Sequence, residues 1–307
     1  VATKSSPPSQ PEENSSSEGT HKKESYRVLA RKYRPETFDD LIGQDALVQT
    51  LGNAFASSRI AQAYMLTGVR GVGKTTTARL IARGLNYDTE KGEDGPSLDF
   101  SQEGVHCRAI LESSHMDVLE MDAASNTGID DVREIIESVR YAPVSSRYKV
   151  YIIDEVHMLS RQAFNGLLKT LEEPPPHVKF IFATTEIRKV PVTVLSRCQR
   201  FDLRRVGSDE LFEHFSKIAS AENVKVEEEA LRAIVRASEG SVRDGLSLLD
   251  QAIAHGDGSV ETEQVQNMLG LVDRSRIADL AELIFSGDIK AALFEIKNQF
   301  DFGADKR

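Results

Sequence analysis

One stretch constrains this chain more than any other: Gly68-Val69-Arg70-Gly71-Val72-Gly73-Lys74-Thr75. It reads G-x-x-x-x-G-K-T, the signature of a loop that wraps phosphate groups. An apolar run, Ala63-Tyr64-Met65-Leu66, precedes it with the character of a buried strand, and Thr76 to Arg83 follows with helical periodicity. Strand, glycine-rich loop and helix in that order are the context the motif requires. The glycines let the backbone curl so that successive N–H groups face phosphate oxygens, and the helix N-terminus adds the positive end of its dipole. Gly68, Gly71, Val72, Gly73, Lys74, Thr75 and Thr76 are therefore the candidate nucleotide contacts. Lys74 would reach the β- and γ-phosphates, and the Thr75 hydroxyl would hold Mg²⁺.

A second pattern lies downstream. Val150-Tyr151-Ile152-Ile153-Asp154-Glu155 is an apolar strand that ends in two carboxylates. Many buried strands end in an acid, so the pattern gains meaning only beside the phosphate loop. In that company Asp154 would orient Mg²⁺ or its bound water. Glu155 would polarise an attacking water, as a general base or a positioning group. Thr184-Thr185 follows the next strand, where a hydroxyl could sit near a γ-phosphate or simply cap the strand end. Arg197, in Ser196-Arg197-Cys198, reads locally as a solvated charge. Arg243 follows Ser241, which with Asp244 resembles a capping box at a helix start. That arginine could face back across a cleft to the nucleotide, or be merely exposed.

Length and composition bound the rest. The chain has 307 residues, enough for more than one domain, and 40% hydrophobic content, ordinary for a globular protein. No apolar run approaches the ~20 residues of a membrane span. Residues 1–25 are nearly devoid of hydrophobic side chains and rich in Ser, Pro, Glu and Lys, so they read as a disordered tail and not a secretory signal. Cys107 and Cys198 offer no disulfide framework and, with a nucleotide site, point to a reducing cytoplasm. The net charge of −10 argues against a protein coated in positive charge for nucleic acid, though not against a local basic surface.

Along the chain, strands alternate with helices from Tyr26 to about Arg205. A helix is expected up to Ala56, then the phosphate-loop unit, an irregular polar insertion over 87–106, and a strand at Val118–Met121. A helix over Asp130–Val139, a strand at Lys149–Ile153, a helix over Phe164–Leu171 and a strand at Phe180–Ala183 follow. This alternation predicts a parallel sheet covered on both faces. Beyond Leu203 the period changes to helical, with segments at Leu211–Ala221, Glu228–Ala237, Val242–Ala254 and Thr262–Leu269. No convincing strand is visible there, and Asp273–Gln299 supplies two more helical patterns.

Taken together, these motifs resemble the AAA+ clamp-loader ATPases, most closely the gamma/tau group of bacterial DNA polymerase III. The resemblance is carried by Leu29-Ala30-Arg31-Lys32-Tyr33-Arg34-Pro35, the phosphate loop, Met121-Asp122-Ala123-Ala124-Ser125 and Ile153 to Ser160. It continues through Asn165 to Pro175, Pro191 to Cys198 and Glu239 to Asp244, covering about Tyr26 to Gly270. It implies an α/β fold: an AAA+ P-loop NTPase core over 26–205, an all-helical lid over 206–272 and the start of a helical collar over 273–307. It also implies roles. Thr185 would be sensor 1, and Arg197 the arginine finger given in trans to a neighbouring subunit's ATP. Arg243 would be sensor 2, and Arg34 and Pro35 would lie by the adenine.

The chain departs from the group twice. The group carries a four-cysteine zinc module after the phosphate-loop helix, and Cys107 matches its last ligand. The other three positions hold Tyr87, Ser101 and Gly104, and a structural zinc site needs about four ligands. No zinc is expected. The collar, which drives pentamer assembly in the group, covers only about two helices here. Either the chain is a fragment, or its assembly is impaired or different.

The implied function is that of an ATP-hydrolysing motor subunit of a clamp loader in the bacterial cytoplasm. ATP and Mg²⁺ are the implied cofactors. Other loader subunits, the sliding clamp and primer–template DNA, gripped by its backbone, are the implied partners, with no membrane. The rivals are another AAA+ DNA motor of the branch-migration kind, and a non-catalytic assembly subunit of the loader.

Overall fold

The computed structural model describes residues 26–90, 95–126, 128–256, 258–270 and 274–301. The tail expected over 1–25 lies outside the described residues. The chain enters through α1 (Leu29–Lys32) and α2 (Asp45–Ala56), and β1 (Ala63–Thr67) leads into α3 (Lys74–Leu85). Next come α4 (Cys107–Leu111), β2 (Val118–Asp122), α5 (Ile129–Ser138) and β3 (Lys149–Asp154). A 3₁₀ turn at Val156–Met158 joins β3 to α6 (Arg161–Glu172). Strand β4 (Val178–Thr184) is followed by a second 3₁₀ turn at Ile187–Lys189, then α7 (Val192–Leu195) and β5 (Gln199–Asp202).

All five strands are parallel, in the order β2-β3-β4-β1-β5. Parallel strands bury both faces, and the side chains show it. Tyr64, Leu66, Ile152, Ile181 and Ala183 pack on one face with Leu51 of α2 and Leu80 and Ile81 of α3. Met65, Tyr151, Ile153, Phe180 and Phe182 pack on the other with Val132 of α5 and Phe164 and Leu167 of α6. Alternate residues of each strand serve alternate layers, which is why these strands read as unbroken apolar runs. At roughly 1.5–3 kcal/mol per fully buried large apolar side chain, these two layers dominate the stability of the core.

Lys179 and Asp117 are among the ionic groups buried beside that apolar packing. Lys179 in β4 is buried, with its ammonium donating to Gln62 Oε1 at 2.9 Å and 4.9 Å from the centre of the Tyr148 ring. Burial pushes its pKa down to about 8. Asp117, just before β2, is 1% exposed. Its carboxylate accepts from the backbone N–H groups of Val144, Ser145 and Ser146 at 2.7–3.0 Å, tying the loop before β3 to the sheet edge.

The remaining elements are α8 (Ser208–Ala221), β6 (Lys225–Val226), α9 (Glu228–Ala237), α10 (Val242–His255), β7 (Ser259–Val260), α11 (Thr262–Met268), α12 (Arg274–Phe285) and α13 (Ile289–Asp301). Leu211, Phe215, Leu231, Ile234, Leu246, Leu249 and Val265 close a separate core among α8–α11, and Leu29 of α1 joins it. The expected helical lid thus forms, with one addition. β6 and β7 pair in parallel over two residues each, too short for alternation to announce. Helices α12 and α13 expose Phe285, Ile289, Leu293 and Phe294. The sequence also hid α1 and α4, which are single turns of four and five residues, below the length at which a helical period can be read.

Candidate nucleotide-binding site

The site forms at the carboxyl ends of β1, β3 and β4, the usual ligand edge of an open parallel sheet. Registers Thr67↔Thr184 and Ile153↔Phe182 bring the segments after these strands to one edge.

Gly71 and Gly73 have φ of +79° and +98°, a left-handed backbone that favours glycine. This curls the loop. Among the described residues, the N–H groups of Gly71, Val72 and Gly73 meet no protein acceptor. Several unspent donors at the N-terminus of α3 suit a polyanion. Lys74 is buried and its ammonium donates to the carbonyls of Gly68 and Val69, both at 3.0 Å. Burial lowers its pKa, while Glu155 and then Asp154 pull it back up. Val72 is buried in the apolar layer, and Thr76 and Thr77 are buried in the first turns of α3.

The Thr75 hydroxyl donates to Asp154 Oδ2, which joins the two motifs directly. Hydroxyl and carboxylate oxygens together are a donor set for a hard cation, so these residues fit Mg²⁺. Asp154 Oδ1 accepts from the Glu155 N–H at 2.8 Å. Glu155 itself has φ +44°, an uncommon conformation for a residue with a side chain. Its Oε2 accepts from Thr185 twice, from the hydroxyl at 2.9 Å and the backbone N–H at 3.2 Å. The two residues proposed from separate strands therefore meet.

The lid reaches the loop from the other side. The Arg243 N–H donates to the Gly71 carbonyl at 3.3 Å. Ser241 caps α10 by accepting from the Asp244 N–H at 3.1 Å. Ser241 thus caps the helix, but the reciprocal half of a capping box does not form, because the Ser241 N–H donates to the Ser238 carbonyl at 2.9 Å and not to Asp244. The same Ser241 side chain packs onto Gly71. The side chains of Arg243 and Arg34 are exposed. Desolvation first, then the positive charges of Arg79, Arg243 and Arg31, lower the Arg34 pKa. Glu120, which Arg79 of α3 bonds at 2.7 and 2.8 Å, pulls it back up. Pro35 is half-buried beside Arg34.

Arg197 is held elsewhere. Its guanidinium donates to the Thr193 carbonyl at 2.6 Å, Ser196 Oγ at 3.2 Å and Glu172 Oε1 at 2.7 Å. None of these partners belongs to the phosphate-loop site.

Sequence reasoning overlooked two side chains. Gln44 clamps the segment after β5, donating to the Arg204 carbonyl at 3.0 Å and accepting its N–H at 3.3 Å. His157 lies within reach of Glu155, Thr184 and Glu186. Its only sequence signal was its place two residues after the paired carboxylates.

In the insertion, Tyr87 packs on Phe100, and its hydroxyl donates to the Gln102 carbonyl at 3.0 Å. A Cβ at Gly104 would lie 2.9 Å from Cys107 Sγ and 3.1 Å from the Tyr87 ring. Three of the four positions that carry zinc ligands in the resembling group thus touch by ordinary packing; Ser101 is exposed.

A five-stranded parallel sheet in this order, a phosphate loop after β1, paired carboxylates after β3 and a helical lid define an AAA+ P-loop fold. Solved structures agree at the level of fold. The chain superposes on the Thermotoga maritima RuvB Holliday junction branch migration motor with a TM-score of 0.56 and 20% identity, over 82% of this chain and 79% of that one. Three family profiles match: DNA polymerase III, delta subunit, over residues 43–207; DNA polymerase III clamp loader subunit, ATPase lid domain, over 210–258; and DNA polymerase III subunits gamma and tau domain III, over 260–307. The chain is 45% identical over 281 residues to the Haemophilus influenzae DNA polymerase III subunit tau/gamma, covering 92% of this chain and 40% of that protein. It is 48% identical over 260 residues to the Escherichia coli subunit tau, covering 84% of this chain and 39% of that protein. Against the subunit gamma of Buchnera aphidicola from Acyrthosiphon pisum it is 41% identical, covering 91% of this chain and 76% of that protein. The chain belongs to the DNA polymerase III gamma/tau family. It spans about 40% of the length of the first curated relatives it matches.

Proposed function

We propose that this chain is an ATP-binding and ATP-hydrolysing motor subunit of a bacterial clamp loader, acting in the cytoplasm to place a sliding clamp on primed DNA. One observation carries the reading. Lys74, Thr75, Asp154, Glu155 and Thr185 converge at one sheet edge in a chain of this family. Lys74 would exchange its loop carbonyls for β- and γ-phosphate oxygens. Thr75 and Asp154 would hold Mg²⁺, which would neutralise charge on the phosphates. Glu155 would polarise the attacking water, and Thr185 would stand beside the γ-phosphate as the sensing hydroxyl. Arg243 would report the nucleotide from the lid, and Arg34 and Pro35 would border the base. Arg197 would act on the ATP of an adjoining subunit, since its own contacts lie outside this site.

Other loader subunits, the clamp and primer–template DNA are the proposed partners, with the core at 26–205, the lid at 206–272 and the collar from 273. Among the described residues no helix is long and apolar enough to cross a membrane. ATP-dependent transfer of a labelled clamp onto primed DNA by the reconstituted complex tests the reading. Lys74→Ala should lose tight ATP binding and loading together. Loading that persists unchanged in that variant would remove this chain's site from the motor.

A further inference from the structure

We infer that His157 is a positioning residue for Glu155: its imidazole pins the Glu155 carboxylate to the end of β4. The inference rests on the proposed hydrolytic role of Glu155 and adds a residue to it.

His157 lies in the 3₁₀ turn that follows Glu155, and its side chain is only 6% exposed. Nδ1 lies 3.0 Å from Thr184 Oγ1 and 3.4 Å from Glu155 Oε2. Nε2 lies 3.5 Å from Glu186 Oε1. Glu186 is itself tied back, by its N–H to Thr184 Oγ1 at 3.0 Å and by its carboxylate to Lys189 at 2.8 Å. The ring is therefore seated against the strand end through the Thr184 hydroxyl.

Glu155 needs such a hold. Its φ of +44° is strained for a residue with a Cβ, and such strain persists only where the surroundings over-determine it. Its Oε2 faces the Thr185 hydroxyl, the Thr185 N–H and the imidazole, whereas Oε1 has no hydrogen-bond partner among the described residues. One oxygen is thus anchored and the other is left for a water. Thr185 alone is an insecure anchor, because its single hydroxyl proton is also the one proposed to meet a γ-phosphate. When that proton turns away, the Thr185 N–H and His157 Nδ1 remain to keep the carboxylate aimed. Nδ1 hydrogen-bonds Thr184 Oγ1 and stands 3.4 Å from Glu155 Oε2, a polar contact longer than that hydrogen bond, and the role requires the proton to be on Nδ1.

The test compares His157→Ala, His157→Asn and His157→Gln in the full chain within its reconstituted complex. ATP affinity is read by equilibrium titration and hydrolysis by single-turnover rate. Asparagine places an amide N–H near the position of Nδ1, and glutamine near that of Nε2. We expect His157→Ala to hydrolyse ATP at least ~10-fold more slowly, a loss below the usual size of a general-base contribution. ATP affinity should stay within about twofold. His157→Asn should recover most of the rate and His157→Gln little. In a Glu155→Gln background, His157→Ala should add no further loss, because a residue that acts through Glu155 has nothing left to position.

A wild-type rate in His157→Ala overturns the inference. So does an equal further loss in the Glu155→Gln background, or rescue by glutamine and not asparagine. If His157→Ala fails to fold, the asparagine–glutamine comparison decides alone. A Glu155→Gln variant that hydrolyses ATP like wild type is a different result: it overturns the role of Glu155 and takes this inference with it.

Discussion

A β-carbon added to Gly71 would lie 2.0 Å from the Ser241 hydroxyl oxygen. The phosphate loop and Ser241, the N-cap of α10, are packed so closely that a side chain at Gly71 would have to displace the Ser241 hydroxyl, and the Arg243 N–H to Gly71 carbonyl bond closes the same contact. The loop and the lid therefore touch directly.

Gly71→Ala should accordingly weaken ATP binding at least ~10-fold, through the left-handed φ, which costs about 1–2 kcal/mol for other residues, and through the clash. Ser241→Gly alone should be mild, since glycine at an N-cap costs only a few tenths of a kcal/mol. The double variant should recover only part of the loss, because relieving the clash leaves φ at +79°. Equilibrium nucleotide titration of the three variants checks this; wild-type affinity in Gly71→Ala would refute it.

Glu155→Gln keeps the shape of the side chain and removes its negative charge. It should bind ATP normally and hydrolyse it at least ~100-fold more slowly, within the range of general-base contributions. Near-normal turnover in the assembled complex would reject Glu155 as the group that activates water.

Among the described residues Arg197 bonds to Thr193, Ser196 and Glu172, none of which lies at its own phosphate loop. Arg197→Ala should leave ATP binding and any slow hydrolysis by the isolated chain nearly unchanged. In a complete complex it should sharply reduce clamp- and DNA-stimulated hydrolysis. Arg197→Lys should rescue poorly, because an ammonium cannot reproduce the planar fork of donors. Equal damage in a proven monomer would show that Arg197 serves its own site or its own fold.

Burial would raise the pKa of Asp117, but the amide bonds from Val144, Ser145 and Ser146 outweigh it and hold the carboxyl down at about 2. A folded pKa below the unfolded value of about 3.9 means that this stabilisation is complete above pH ~4 and is lost as pH falls towards 2. Its size is about 2–3 kcal/mol. Asp117→Asn turns an NH₂ towards at least one N–H donor, so it should lower Tm by several degrees at pH 7 and flatten the stability profile between pH 4 and 2. Thermal melts across that range decide; an unchanged slope would mean that another carboxylate dominates acid unfolding.

Tyr87, Gly104 and Cys107 pack against one another where a zinc module stands in the resembling group. Purified protein should contain no stoichiometric zinc. Elemental analysis that finds about one zinc per chain after dialysis against a chelator would overturn this.

Motifs that depend on neighbours in the chain were legible in the sequence. The run from Gly68 to Thr75 encodes its own curl, because glycine spacing and a following helix are local properties. The apolar runs at Ala63–Leu66, Val150–Ile153 and Phe180–Ala183 announced strands buried on both faces, and the shift of period after Leu203 announced the lid helices. What pattern could not supply was which distant groups meet. The Thr185 bonds to Glu155, the seat of Ser241 on Gly71 and the placing of His157 under Glu155 depend on β4 lying between β1 and β3 and on the angle at which the lid folds back. Strand order and lid angle are set by packing of whole layers, to which each side chain contributes only a share. Local spacing therefore determined the parts of the site, and tertiary packing alone decided their partners.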